Sequence, residues 1–106
     1  MPSTTSASDA AVRSEYANDP DFHELLEEFA AAVPERRQGL IDAHRLRDEK
    51  ALRMRAHQLK GAGGGFGFPQ LSELAAELEH ACDSHDSAQT AMALEAIVGY
   101  LNRVTV

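Results

Sequence analysis

The sequence predicts an all-α protein, an antiparallel four-helix bundle with a short extra N-terminal helix. Three observations predict it. Apolar residues recur three and four positions apart in four successive segments. Short breaks rich in proline or small polar residues separate those segments. No segment alternates apolar and polar residues as a half-buried strand does, and there is no internal repeat. Four amphipathic stripes with short connections bury themselves most economically against one another.

Residues 1–8 are rich in Ser and Thr and read as a disordered leader, or a stub of a larger protein; residues 9–106 read as one helical domain. Residues 9–18 offer a modest apolar set (Ala10, Ala11, Val12, Tyr16, Ala17) and are expected to form the short extra helix. Asn18-Asp19-Pro20-Asp21 starts the next one, with a capping side chain, a first-turn proline and an acid near the positive end of the dipole. Its stripe is Phe22, Leu25, Leu26, Phe29 and Val33, and it resumes past Pro34 as Arg37, Leu40, Ile41 and His44. One long helix kinked at Pro34 is expected. Asp48 caps a helix from about Glu49 to about Gly65, with Leu52, Ala56, Leu59, Gly63 and Phe66 inward. Phe68-Pro69 is a boundary, because proline disfavours helix in the residue before it. Gln70 to Cys82 follows, with Leu71, Leu74, Ala75, Leu78 and Ala81 inward. After the polar turn at residues 83–87, a last helix runs to about Val104 on Ala91, Leu94, Ile97, Val98 and Leu101.

Composition removes several function classes. The chain has 106 residues and a net charge of −7, which disfavours nucleic acid or an anionic membrane as partner. Cys82 is the single cysteine, so no intramolecular disulfide forms, and it reads as a small core or boundary residue. No apolar run reaches the roughly 18–20 residues a membrane span needs. Residues 1–8 lack the pattern of a signal peptide, so a cytoplasmic location is expected. A monomer is expected too, since four helices close their own core.

The stretch that carries chemistry is Ala56-His57-Gln58-Leu59-Lys60-Gly61-Ala62-Gly63-Gly64-Gly65-Phe66-Gly67. Residues three and four apart share a helix face, so His57, Lys60 and Gly61 are neighbours and Gly64 continues their stripe. The imidazole then faces water opposite the buried stripe, with a cation beside it and no side chain at Gly61 or Gly64. That suits a group which another macromolecule must reach. A neutral imidazole nitrogen is a good nucleophile near pH 7. Phosphoryl transfer needs alignment and charge neutralisation more than further covalent help.

The pattern His57-x-x-Lys60-Gly61, with Gly67 ten residues after the histidine and Leu78-Glu79 further on, resembles the histidine-containing phosphotransfer (HPt) domains of two-component phosphorelays. The resemblance covers about residues 20–104, and the run Gly63-Gly64-Gly65 is richer in glycine than the family's usual small-residue stretch. It implies a phosphorelay carrier in which His57 is the phosphoacceptor, Lys60 stabilises phosphoryl charge and Gly61 gives access. It further implies response-regulator receiver domains as partners, with a hybrid histidine kinase as a second candidate. Mg²⁺ is then expected on the receiver, not on this chain. Arg53, Met54, Gln58, Gly64 and Gln70 are the candidate partner-binding residues.

The motif holds no second acid or base beside His57 and no nucleotide-binding loop. Neither Gly-x-x-x-x-Gly-Lys-Ser/Thr nor Gly-x-Gly-x-x-Gly fits residues 61–67, so a carrier is expected rather than a kinase using ATP. His80 and Cys82 point about 200° apart on a helix, so a metal site with His85 is not expected. His23 and His44 read as surface or half-buried residues. The alternative function is a non-catalytic helical interaction module in which His57 is incidental.

Overall fold

In a computed structural model, described for residues 10–106, four helices pack as a bundle: α1 (His23–Arg45), α2 (Glu49–Gly65), α3 (Pro69–Asp83) and α4 (Ser87–Arg103). The expected leader, residues 1–8, lies outside the described residues. A 3-10 turn at Pro20–Phe22 leads into α1, with the Asp19 side chain accepting from the Asp21 amide at 3.0 Å. Pro34 lies inside α1, which continues through it as one helix. Each helix packs on the next, and α1 also touches α4. The core is mainly leucine, with Leu40, Leu52, Leu59, Leu71, Leu78, Ile97 and Leu101 fully buried. Phe29 stacks on Phe66 and Phe68 at 5.0 and 5.1 Å and closes one end. No described helix is long and apolar enough to cross a membrane.

All three connections use the same device. A residue in the left-handed conformation follows each of α1, α2 and α3: Arg47, Gly67 and His85, at φ 58°, 81° and 52°. The next amide reaches back to the helix, from Asp48 to the Ala43 carbonyl, from Phe68 to Gly63 and from Asp86 to Ala81. This ties off the last carbonyls in a Schellman-type end. The same residue then becomes the N-cap of the following helix, with Asp48 accepting from Ala51 and Asp86 from Gln89. Only α2 ends on glycine, and there a side chain is doubly excluded. A Cβ on Gly67 would lie 2.5 Å from Ser14 Oγ and 2.8 Å from the Tyr16 ring.

The short N-terminal helix expected at residues 9–18 does not form over the described part; residues 10–19 run as a strap. The Val12 amide donates to Arg103 O at 2.7 Å, and its carbonyl accepts from Thr105 at 2.9 Å. Ser14 Oγ donates to Phe66 O, and the Glu15 amide to Gly67 O. So short a helix is marginal by itself. The strap satisfies the same backbone groups against the ends of α2 and α4 while Val12 and Tyr16 still pack on the core.

Details of the stripes also change. Leu25 and His44 are exposed, and Ala43 takes the inward place near the end of α1. On α4, Ala91 is exposed while Thr90 and Tyr100 are buried. Both changes are small rotations of a helix about its axis, which pairwise packing decides and periodicity only approximates. Cys82 is buried, and burial raises its thiol pKa.

Candidate functional site around His57

Helix α2 presents Leu52, Ala56, Leu59 and Gly63 to the core, which turns His57 outward. Its side chain is 64% exposed. Gly61 and Gly64 are exposed too, and a Cβ on Gly61 would meet nothing within 4 Å. The surface beyond the imidazole is therefore open.

The close approach of α3 to α2 sets the rest of the site. At Gly63 a Cβ would lie 2.6 Å from Ser72 Oγ and 2.8 Å from the Ser72 amide nitrogen, so α3 rests where a side chain would be. Ser72 Oγ donates to Lys60 O at 2.7 Å and pins the pair. Two turns further along α3, this register brings Glu79 beside the histidine. Glu79 Oε2 lies 3.1 Å from His57 Nδ1, and its Oε1 lies 2.9 Å from Lys60 Nζ. Arg53 Nη2 stands 3.6 Å from the same carboxylate, and Arg53 Nε donates to Asp83 Oδ1 at 2.5 Å.

Glu79 is therefore a charged side chain, only 12% exposed, facing three cationic or basic groups. Its pKa is lowered, first by the hydrogen bond from Lys60; partial burial opposes that, and the bond from His57 adds to it. An ionised carboxylate only accepts hydrogen bonds. Opposite Glu79, the proton of a neutral His57 ring therefore sits on Nδ1, leaving the Nε2 lone pair free. A carboxylate on one ring nitrogen also stabilises positive charge that develops when the other attacks an electrophile.

The motif alone offers no acid beside His57, yet the fold supplies one from α3. The sequence signal was present: Leu78 is on the core stripe, so Glu79 sits at the edge of α3 that borders a neighbour. Which residue it meets depends on the α2–α3 register. The other candidate residues divide. Met54 and Gln58 are exposed on α2 near His57, and Arg53 is tied to Asp83 and Glu79. Gly64 lies on the same face roughly 10 Å along α2. Gln70 is exposed at the far end of α3, about 14 Å along the helix from Glu79, and is not brought to the imidazole.

The charge distribution sharpens the picture. Eight of the ten Lys and Arg residues fall within residues 36–60, against three of the seventeen acidic ones. The second half of α1, the turn and the histidine helix thus carry a net +5 in a chain of net −7.

A helical bundle that displays one oriented histidine on an open surface has the form of a phosphoryl-carrier module. The Hpt domain family model matches residues 24–105, and the chain belongs to that family. The family's activity is histidine phosphotransfer in two-component signalling, and its members interact with response-regulator receiver domains. No curated protein matches the chain. No solved structure matches it either.

Proposed function

We propose that His57 accepts a phosphoryl group from the aspartyl phosphate of one receiver domain and passes it to the aspartate of another. The Nε2 lone pair attacks phosphorus, the bond from phosphorus to the aspartate oxygen breaks, and the carboxylate leaves. The Nδ1 proton stays in place, held toward Glu79, while the ring carries positive charge. Return transfer reverses these steps. Lys60 uses one of its three N–H donors on Glu79, leaving the others for phosphoryl oxygens. Gly61 leaves room for in-line approach. The divalent cation, Mg²⁺, belongs to the receiver, and the relay runs in the cytoplasm.

The observation that carries this reading is the Glu79 carboxylate shared between His57 Nδ1 and Lys60 Nζ on an open surface. An incidental surface histidine has no need of a partly buried carboxylate to orient it. Docking is supported by Met54, which is 53% exposed beside a shallow hollow of about 420 Å³ lined also by Lys50, Ala51 and Arg53. The basic character of residues 36–60 suits an acidic receiver face and speeds encounter at low salt.

The test is incubation with phosphorylated receiver, scored by intact mass at mildly alkaline pH. The expected result is a gain of one acid-labile phosphate that His57→Ala abolishes while helicity is kept. Transfer to the His57→Ala protein, or none to the wild type from several receivers, would reject the assignment.

A further inference from the structure

Arg53 and His57 are one turn apart on α2, and Glu79 and Asp83 are one turn apart on α3, so the two pairs meet across the helix contact. Like charges four residues apart on a helix repel. Arg53 stands between them: its Nε donates to Asp83 Oδ1 at 2.5 Å, and its Nη2 lies 3.6 Å from Glu79 Oε2. That is the oxygen which faces His57 Nδ1 at 3.1 Å, whereas Lys60 takes the other one, Oε1. Arg53 and the imidazole therefore share one carboxylate oxygen. At 3.6 Å the guanidinium makes no hydrogen bond there and acts on the oxygen through its charge. That charge is permanent: the hydrogen bond to Asp83 raises the Arg53 pKa, and Glu79 adds to it.

We infer that Arg53, held by Asp83, is a positioning residue that weakens the grip of Glu79 on the His57 Nδ1 proton and so lengthens the life of a phosphoryl group on Nε2. The inference rests on the carrier reading and adds to it what keeps the carried group from being lost. A phosphorylated imidazole loses its phosphoryl group when the bond from phosphorus to Nε2 breaks. The electron pair stays on Nε2, and an oxygen of water or of an aspartate takes the phosphorus. With a proton on Nδ1 the leaving group is neutral imidazole. Without that proton it is imidazolate, a far poorer one. Glu79 favours the protonated ring by accepting from it. The Arg53 charge opposes this at the same oxygen, and the Asp83 charge tempers Arg53 in turn.

Asp83, Arg53, Glu79 and His57 thus form a chain in which the sign of the influence alternates at each step. Lys60 joins it at Glu79 Oε1. The Cys82 thiol beside Arg53 is kept neutral by burial. Among the described residues, no charged group of α1 or α4 pairs with a member of this cluster.

Phosphoramidate, a small phosphoryl donor, charges the histidine without a receiver, and phosphorus-31 NMR follows loss of the group across about pH 5 to 10. The His57→Ala protein marks the signals of the other histidines. Loss should be fast where the phosphorylated ring is protonated and slow where it is not. Arg53→Gln should move the fall in rate to higher pH by about 0.5–1 unit, which shortens the lifetime about three- to tenfold on the slope. Asp83→Asn keeps an acceptor for Arg53 but removes the charge, and should move the fall to lower pH. Arg53→Lys should restore most of the wild-type profile. In a Glu79→Gln background the Arg53→Gln shift should largely vanish, because Arg53 acts through that carboxylate. Circular dichroism checks that every variant remains helical; a residue that only stitches α2 to α3 would change stability and leave the pH profile in place. Profiles that do not move, shifts of the same sign in Arg53→Gln and Asp83→Asn, or a full Arg53→Gln shift without Glu79 would each overturn the inference while leaving the carrier reading intact. A wild type that phosphoramidate does not charge at His57 would instead count against the carrier reading, and the inference would fall with it.

Discussion

Replacing Glu79 by glutamine isolates what its charge does. The side chain keeps its size and an accepting oxygen but loses the negative charge that faces His57 at 3.1 Å, Lys60 at 2.9 Å and Arg53 at 3.6 Å. Hydrogen bonds to charged groups are worth about 1.5–3 kcal/mol. His57 and Lys60 are 64% and 41% exposed, so water screens both partners and the low end applies. A loss of about 1.4 kcal/mol from the transition state is a tenfold fall in rate. Glu79→Gln should therefore slow transfer by about 10- to 30-fold at saturating receiver. Docking should be unchanged, because the carboxylate is recessed between α2 and α3. Single-turnover kinetics with phosphorylated receiver measure the rate. Nitrogen-15 NMR of the imidazole should show the Nδ1–H form in the wild type and a mixture in the variant. A rate within about twofold of wild type, with the tautomer unchanged, would refute the orienting role of Glu79.

Three further expectations follow from the same geometry. The lowered pKa of Glu79 has a definite sign in stability. Its contribution is fully present above the ordinary glutamate value of about 4.3 and is lost as pH falls through the lower folded value, so urea unfolding should show the gap between wild type and Glu79→Gln closing on acidification. A gap that widens in acid would contradict the assignment. Gly63→Ala pushes a Cβ onto the Ser72 backbone and should destabilise by about 1–3 kcal/mol, whereas Gly65→Ala meets nothing and should be neutral or stabilising by up to about 1 kcal/mol. Chemical denaturation of the pair checks this, and equal effects would deny the close approach. Lys60→Ala should slow transfer while receiver affinity, measured by calorimetry, holds; an unchanged rate would remove Lys60 from the chemistry.

Helix boundaries were legible because their signals are local. Asp48, Pro69 and Ser87 lie at or beside helix starts, where capping chemistry and proline geometry act within one turn. The N-terminal strap was not legible, because Val12 gains its partners from Arg103 and Thr105, about ninety residues away. Local propensity carries no record of so distant a pairing. The left-handed backbone at Arg47 and His85 was likewise not legible, since neither is the glycine that usually marks it, although the turns that hold them were.

The sequence by itself determined the four helices and the histidine stripe with its neighbours Lys60 and Gly61, because a 3.6-residue period depends only on spacing along one helix. It also carried the family resemblance, which the match over residues 24–105 bears out. The tertiary structure alone decided that Glu79 reaches His57, that Arg53 turns to Asp83 and that Gln70 stays away. These depend on the register of α3 on α2. That register comes from the close contact of Gly63 with Ser72 and the turn at Gly67, which no single helix contains.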